Sequence, residues 1–255
     1  MTRLVGVHRL SAVSASPSPV LSEAVLAPVR GHHAFETCVE SLATAIRLGV
    51  YPRGSSLPPE RELADRLGVS RATLREAMAA LRAADFVTTR RGRGGGTVVS
   101  YRPTPPAAEA ALSLAHRMEQ LRDTLVFRRV IEPGACHVAA RRILTGLQRE
   151  FLQQAHDEVA AAAEPAAHRQ ADSRFHLAIA AVTESPATIR AVTSVQSDLH
   201  DMLNAIPVLD VNLEHSNKQH RTILTAILRG EATRARRVME DHCDDTAALL
   251  RGLLA

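Results

Sequence analysis

Between Arg61 and Leu81 the chain reads RELADRLGVSRATLREAMAAL, and no other run limits the fold so tightly. Apolar residues recur at helical spacing on both sides of a central glycine, Gly68. Pro58 and Pro59 suit the start of a first helix, with Arg61 to Leu67 running up to that glycine. Ser70 is a natural N-cap for a second helix carrying Leu74, Ala77, Met78 and Leu81. Upstream, Phe35, Val39, Leu42 and Ile46 predict another helix from Ala34 to Leu48, which GVYPRGSSLPPE then breaks. Downstream, FVTT, RRGRGGG and TVVS read as strand, glycine-rich turn and strand. Three helices followed by a hairpin predict a winged helix–turn–helix over residues 34–101.

YRPTPPAAE closes this unit, because Pro103, Pro105 and Pro106 cannot sit inside a helix or strand. Residues 102–106 are therefore expected to be a linker. From 107 to 255 long Ala/Leu/Arg stretches predict an all-α bundle, with breaks near Thr145-Gly146, Glu164-Pro165, Ser185-Pro186, Pro207 and Gly230. Aromatics make up 3% of the chain and Trp is absent, so the core falls to Leu, Val, Ile and Ala, which favours helices over stacked sheets. Residues 1–33 hold Ser, Pro and Gly without clear periodicity and are expected to be a flexible extension. The expected fold class is thus mainly α: an N-terminal winged helix–turn–helix followed by a helical-bundle domain.

Charge separates the two parts. Residues 53–102 carry ten Arg against five acidic side chains, net +5, whereas residues 103–255 are net −2. A basic block beside a slightly acidic remainder points to a polyanion partner for one part only. The second helix of such a motif lies in the DNA major groove with its N-terminal residues at the base edges. Here those residues are Ser70, Arg71, Thr73 and Arg75. Arg forks onto guanine O6 and N7, and a helix N-terminus favours phosphate oxygens. Arg90, Arg91 and Arg93, set among glycines, suit backbone or minor-groove contact. The bland alternative makes Arg61, Arg71 and Arg75 solvated residues paired with Glu60, Glu62 and Glu76.

No stretch reaches the roughly 18–20 apolar residues of a membrane span. The N-terminus lacks a sustained apolar secretion signal, and Cys38, Cys136 and Cys243 form no CxxC or even-numbered framework. A soluble cytoplasmic protein with no membrane partner is expected.

The helical part contains a second constellation. ADSRFHLAIA sets Asp172 and His176 four apart, on one face of a helix. His220 and His242 lie about ten residues before and eleven after a turn at Gly230-Glu231. At about 1.5 Å per residue both sit roughly 15 Å from that turn, so an antiparallel hairpin sets them side by side. Three imidazoles and a carboxylate facing the inside of a bundle suit Zn²⁺, Ni²⁺ or a similar divalent ion. Surface or satisfied core histidines are the alternative, since twelve His make chance pairs easy.

LPPERELADRLGVSRATLREAMAALRAADFVTTRRGRGGGTVV, with the preceding IRLGVYPRGSSLP, resembles the DNA-binding domain of GntR-type transcription regulators over about Ala34 to Ser100. The resemblance implies Arg61, Arg71, Thr73, Arg75, Arg91 and Gly92 as DNA-contacting positions. Where that family usually has Gly before the wing strand, this chain has Asp85-Phe86. FRRVIEPGACHVAARR, ADSRFHLAIA and EHSNKQHRTILTAILRGEATRARRVMEDH resemble the all-helical effector domain of the FadR-like, FCD branch, over about Ala107 to Leu250. That resemblance implies Asp172, His176, His220 and His242 as metal ligands, with a metabolite carboxylate completing the coordination. Arg128 becomes the candidate carboxylate partner, or else a structural ion pair with Glu132 on the same helix face. Many relatives carry Gly-Asn where this chain has Ser185-Pro186.

Together these features predict a ligand-responsive DNA-binding regulator, a repressor, bound as a homodimer to a palindromic operator. It would sense a small carboxylic acid beside a divalent metal. Two alternatives stand next to it. One keeps the DNA binding and makes the metal structural or itself the signal. The other is a helical metalloenzyme whose Asp/His site activates water, although no catalytic residue can be nominated.

Overall fold

A computed structural model of the chain describes residues 19–26, 34–90, 96–102, 114–203 and 210–254. Among them the DNA-binding head is built from α2 (Ala34–Arg47), α3 (Glu60–Leu67), α4 (Arg71–Ala83), β1 (Val87–Arg90) and β2 (Gly96–Val99). Gly68 closes α3 in the left-handed conformation, φ 65°, where a side chain would be strained. Two residues on, Ser70 Oγ accepts the Thr73 backbone N–H at 3.0 Å and opens α4. Leu42 and Ile46 of α2, Leu63 and Leu67 of α3, and Leu74 and Leu81 of α4 are buried together. Phe35, on the predicted face of α2, is instead exposed. Val87 pairs with Val99 and Arg90 with Gly96 in an antiparallel ladder. The other edge of β2 is covered by the segment before α3, where Leu57 N–H donates to Thr97 O and Val99 N–H to Ser55 O.

The helical part comprises α5 (Leu114–Arg141), α6 (Gly146–Ala161), α7 (Pro165–Val182), α8 (Pro186–Leu203), α9 (Asp210–Leu228) and α10 (Ala232–Leu254). Thr145 and Gln148 form a reciprocal capping box that starts α6, and Pro165 occupies the first turn of α7. The long α5 packs against α7, α8, α9 and α10, so it forms the axis of the bundle. Gly230 turns α9 into α10 with φ 74°. Among the described residues no helix is long and apolar enough to cross a membrane.

One expectation is corrected. The extension to residue 33 contains a helix, α1 (Pro19–Val25), which packs against α2, α7 and α8. Leu21 and Leu26 are buried, and they belong to a cluster that also holds Leu48 and Tyr51 of the head and Leu177, Ala181 and Val192 of the bundle. A seven-residue helix is too short to show a clear period, so only the tertiary partners of Leu21 and Leu26 reveal their burial. Residues 1–18, 27–33 and the Pro-rich stretch 103–106 lie outside the described residues.

Leu74 is fully buried at the centre of the head. Leu74→Ala is expected to lower stability by about 2–5 kcal/mol, seen as a reduced midpoint in urea unfolding followed by circular dichroism.

Candidate metal centre and DNA-binding surface

Three helices bring the candidate ligands together midway along the α9–α10 hairpin. α7 supplies Asp172 and His176 one turn apart, α9 supplies His220 and α10 supplies His242. The His220 and His242 ring centroids lie 4.6 Å apart, and His176 is 5.4 Å from the first and 5.2 Å from the second. One nitrogen from each of the three imidazoles falls within 4.8 Å of the others. Asp172 faces the same space: Oδ1 is 3.5 Å from His220 Nε2 and Oδ2 is 3.9 Å from His176 Nε2. The structure therefore brings together the four residues that sequence spacing set on different helices.

The surroundings fit a cation. Both nitrogens of His176 and His220, and Nε2 of His242, are buried without a hydrogen-bond partner among the described residues. An unsatisfied buried polar atom costs about 1–3 kcal/mol, and a ligated divalent ion would remove that cost for one nitrogen of each ring. The tautomer of His242 follows from its neighbours. Gln219 Nε2 donates to Asp245 Oδ2 at 2.7 Å, so Gln219 Oε1 is the acceptor that faces His242 Nδ1 at 3.0 Å. His242 then carries its proton on Nδ1 and turns the Nε2 lone pair inward.

α5 provides a polar support that spacing alone left open. Arg128 and Glu132 are both 2% exposed, and Arg128 Nε donates to Glu132 Oε2 at 2.8 Å. Glu132 also accepts from Gln196 Nε2 of α8 at 2.6 Å, and its Oε2 stands 3.0 Å from His176 Nδ1. That approach is close but not aligned as a hydrogen bond. Arg128 keeps Nη1 buried and without a partner among the described residues. Burial alone would raise the Glu132 pKa, but the Arg128 guanidinium beside it, helped by the Gln196 hydrogen bond, outweighs burial and holds the carboxyl well below the usual range. His168, one turn before Asp172 on α7, is also buried with Nε2 unpartnered. Gln196, Gln219 and His168 carry no sequence signal, because their roles arise only from the packing of α7, α8, α9 and α10.

On the head, Arg61, Arg71 and Arg75 are exposed and form no ion pair among the described residues. The nearby acid Glu62 pairs instead with Arg66 at 2.6 Å. Three guanidinium groups thus stay available around the start of α4. The Ser70 and Thr73 hydroxyls lie 2.9 Å apart at the same end. Arg91 and Gly92 lie outside the described residues.

Comparison with known proteins agrees with this architecture. Residues 35–99 match the model of bacterial regulatory proteins of the gntR family, and residues 123–245 match the FCD domain. A Mycobacterium gastri protein assigned the name HTH-type transcriptional regulator RmpR is 30% identical over 210 residues, spanning 81% of this chain and 76% of that protein. The chain belongs to the GntR family of bacterial transcription regulators.

The Glc operon transcriptional activator of Escherichia coli (strain K12) is another relative, 28% identical over 81% of this chain and 85% of its own. The solved structure of E. coli McbR/YncC shares the fold, with a TM-score of 0.53 at 16% identity over 87% of this chain and 99% of that one. The family and these relatives are regulators rather than enzymes, so the metalloenzyme alternative falls. Both departures from the GntR pattern fall at or beside left-handed turns. Asp85 has φ 60° and Glu184, just before Ser185-Pro186, has φ 54°. Asp tolerates that region better than most residues, and Glu184 is held there by Arg142 and Gln148.

His220 and His242 have pKa values pushed well below 6.5, first by burial, then by the repulsion a proton on either ring would meet from Arg128 and from any proton on a neighbouring imidazole. Asp172 opposes the shift at His242 without reversing it. Both rings are therefore neutral, the state a metal requires. As pH falls below 6.5, the unfolded chain binds protons that these native rings refuse, so stability declines. Chelator-treated protein is expected to lose up to about 1.4 kcal/mol per pH unit for each ring. Urea unfolding at pH 7.5 and 5.5 checks this, and a flat profile would contradict it.

Proposed function

We propose that this GntR regulator is a homodimeric repressor whose DNA affinity responds to a small carboxylic acid bound beside a divalent metal. The observation that carries the proposal is the convergence of Asp172, His176, His220 and His242 around buried imidazole nitrogens that have no hydrogen-bond partner among the described residues. In this assignment the four side chains hold Zn²⁺ or Ni²⁺. Arg128, tied through Nε to Glu132, turns its unpartnered Nη1 to the acid's carboxylate. Ser70, Arg71, Thr73 and Arg75 read the major groove, Arg61 contacts phosphate, and Arg91 and Gly92 form the wing contact. Such a protein acts in the cytoplasm, where its operator is. Elemental analysis is expected to find one divalent ion per chain, lost on His220→Ala. A small carboxylic acid at about 100 times its Kd is then expected to add roughly 2.7 kcal/mol of stability in the metal-loaded protein only. Stabilisation by metal without any response to acids would favour the structural or metal-sensing alternative.

The dimer is assigned to α5. Val126, Val130 and Val138 are 65%, 66% and 45% exposed, and Phe127 is 41% exposed. Val126, Val130, Gly134 and Val138 follow at steps of four along one face, with Phe127 beside them, and a Cβ added at Gly134 would meet nothing within 4 Å. A second copy of the chain is the fitting occupant, because a two-fold axis lays the same stripe on itself and supplies the two heads that a palindrome needs. Arg129, the charged residue beside the stripe, is drawn away by Asp244 and Glu240 of α10. Val130→Glu is expected to shift the protein from dimer to monomer in light scattering at micromolar concentration, with helical content unchanged.

A further inference from the structure

α7 has two working faces. Asp172 and His176 look into the metal centre. Gln170, Arg174, Leu177 and Ala181 follow at steps of four, three and four, about 200° round the helix from Asp172. This second face meets the DNA-binding head. Gln170 Nε2 donates to the carbonyl of Arg47 at 3.1 Å and reaches that of Ile46 at 3.4 Å, the last turn of α2. Arg174 Nη1 donates to Gly49 O at 3.4 Å, while Glu158 of α6 fixes the same guanidinium at 2.9–3.0 Å. Gly49 has φ 71°, and a Cβ there would stand 2.7 Å from Arg174 Nη1 and 2.9 Å from Gln170 Cβ. The head is therefore seated closely enough on α7 that only glycine fits.

A second contact lies beside the first. Residues 19–26 precede both matched family segments, which cover 35–99 and 123–245. Leu21 and Leu26 are buried in the cluster shared by head and bundle, and α1 packs on α7, α8 and α2. Ser22 Oγ accepts from Arg66 Nη1 of α3 at 2.8 Å. Arg47 Nη2 of α2 donates to Ser197 Oγ of α8 at 3.2 Å.

We infer that the metal-ligand helix is also the seat of the head, and that α1 straps the head onto it, so that occupancy of the metal centre sets head position. A packed helix moves as a rigid body, and a ligand that draws Asp172 and His176 toward His220 and His242 moves Gln170 and Arg174 with them. The bias reaches DNA because the two head arrangements differ in their fit to an operator. This inference rests on the metal assignment above, so the test reads metal uptake separately.

The full chain is titrated with Zn²⁺ alone. Calorimetry follows uptake, amide exchange follows residues 20–26 and 45–51, and anisotropy follows binding to a duplex selected from a random pool. In the wild type, Zn²⁺ is expected to change exchange in both segments and to alter DNA affinity about fivefold or more. Gln170→Ala/Arg174→Ala should bind Zn²⁺ unchanged and lose both responses. Deletion of residues 1–26, which leaves α7 intact, should weaken the same two responses and guards against a fold defect in the double variant. Zn²⁺ uptake with no change in exchange or DNA affinity overturns the coupling and leaves the metal site standing. Variants that respond like the wild type overturn it as well. Absence of uptake overturns the ligand assignment, and the coupling falls with it.

Discussion

Everything in the bundle is arranged around one buried ion pair, Arg128 with Glu132. Charges this deep are tolerable only when each lone pair and N–H finds an opposite. Glu132 accepts from Arg128 and Gln196 and has His176 Nδ1 3.0 Å away, which brings α5, α8 and α7 to one point. Removing either charge would leave the other stranded, at about 3–5 kcal/mol by analogy with other buried pairs. The pair therefore fixes the register of the central helix against its neighbours, and the three imidazoles inherit their positions from that register. Arg128 is only part-satisfied, and that residual donor gives the centre a use for an anion.

The head was legible in the sequence because its signals are local. Gly68, Ser70 and the Leu spacing act within a turn or two of where they stand, and the hairpin follows from alternating residues around glycines. Asp172, His176, His220 and His242 were legible for a related reason. Two pairs, each fixed by helix periodicity or by a hairpin turn, need one further packing step to meet. Phe35 shows the limit: its spacing matches the buried face of α2, yet in the first turn of that helix it stays exposed.

What stayed hidden depends on partners distant in sequence. α1 has too few residues to show a period, and its burial is decided by α7 and α8. Gln219 orients His242 only because Asp245, one turn further along α10, orients Gln219. Gln170 and Arg174 read as ordinary polar residues of an amphipathic helix until the last turn of α2 is placed against them. Spacing assigns a residue to a face; it does not say what that face meets.

An interior holding His168, His176, His220 and His242 with unpartnered nitrogens is a poor core by the standards of burial alone. Hydrophobic residues of equal volume would pack there more stably. Departures of this kind concentrate where function requires them, and here the polar centre is set into the apolar core, with Phe175 of that core 4.9 Å from the His220 ring. Such a bundle holds in reserve the stability that a ligand can supply, since whatever satisfies those nitrogens stabilises only the arrangement in which they converge. Because the head is bonded to the reverse face of one contributing helix, under the proposed coupling that arrangement and the placement of the head would be a single conformational variable rather than two.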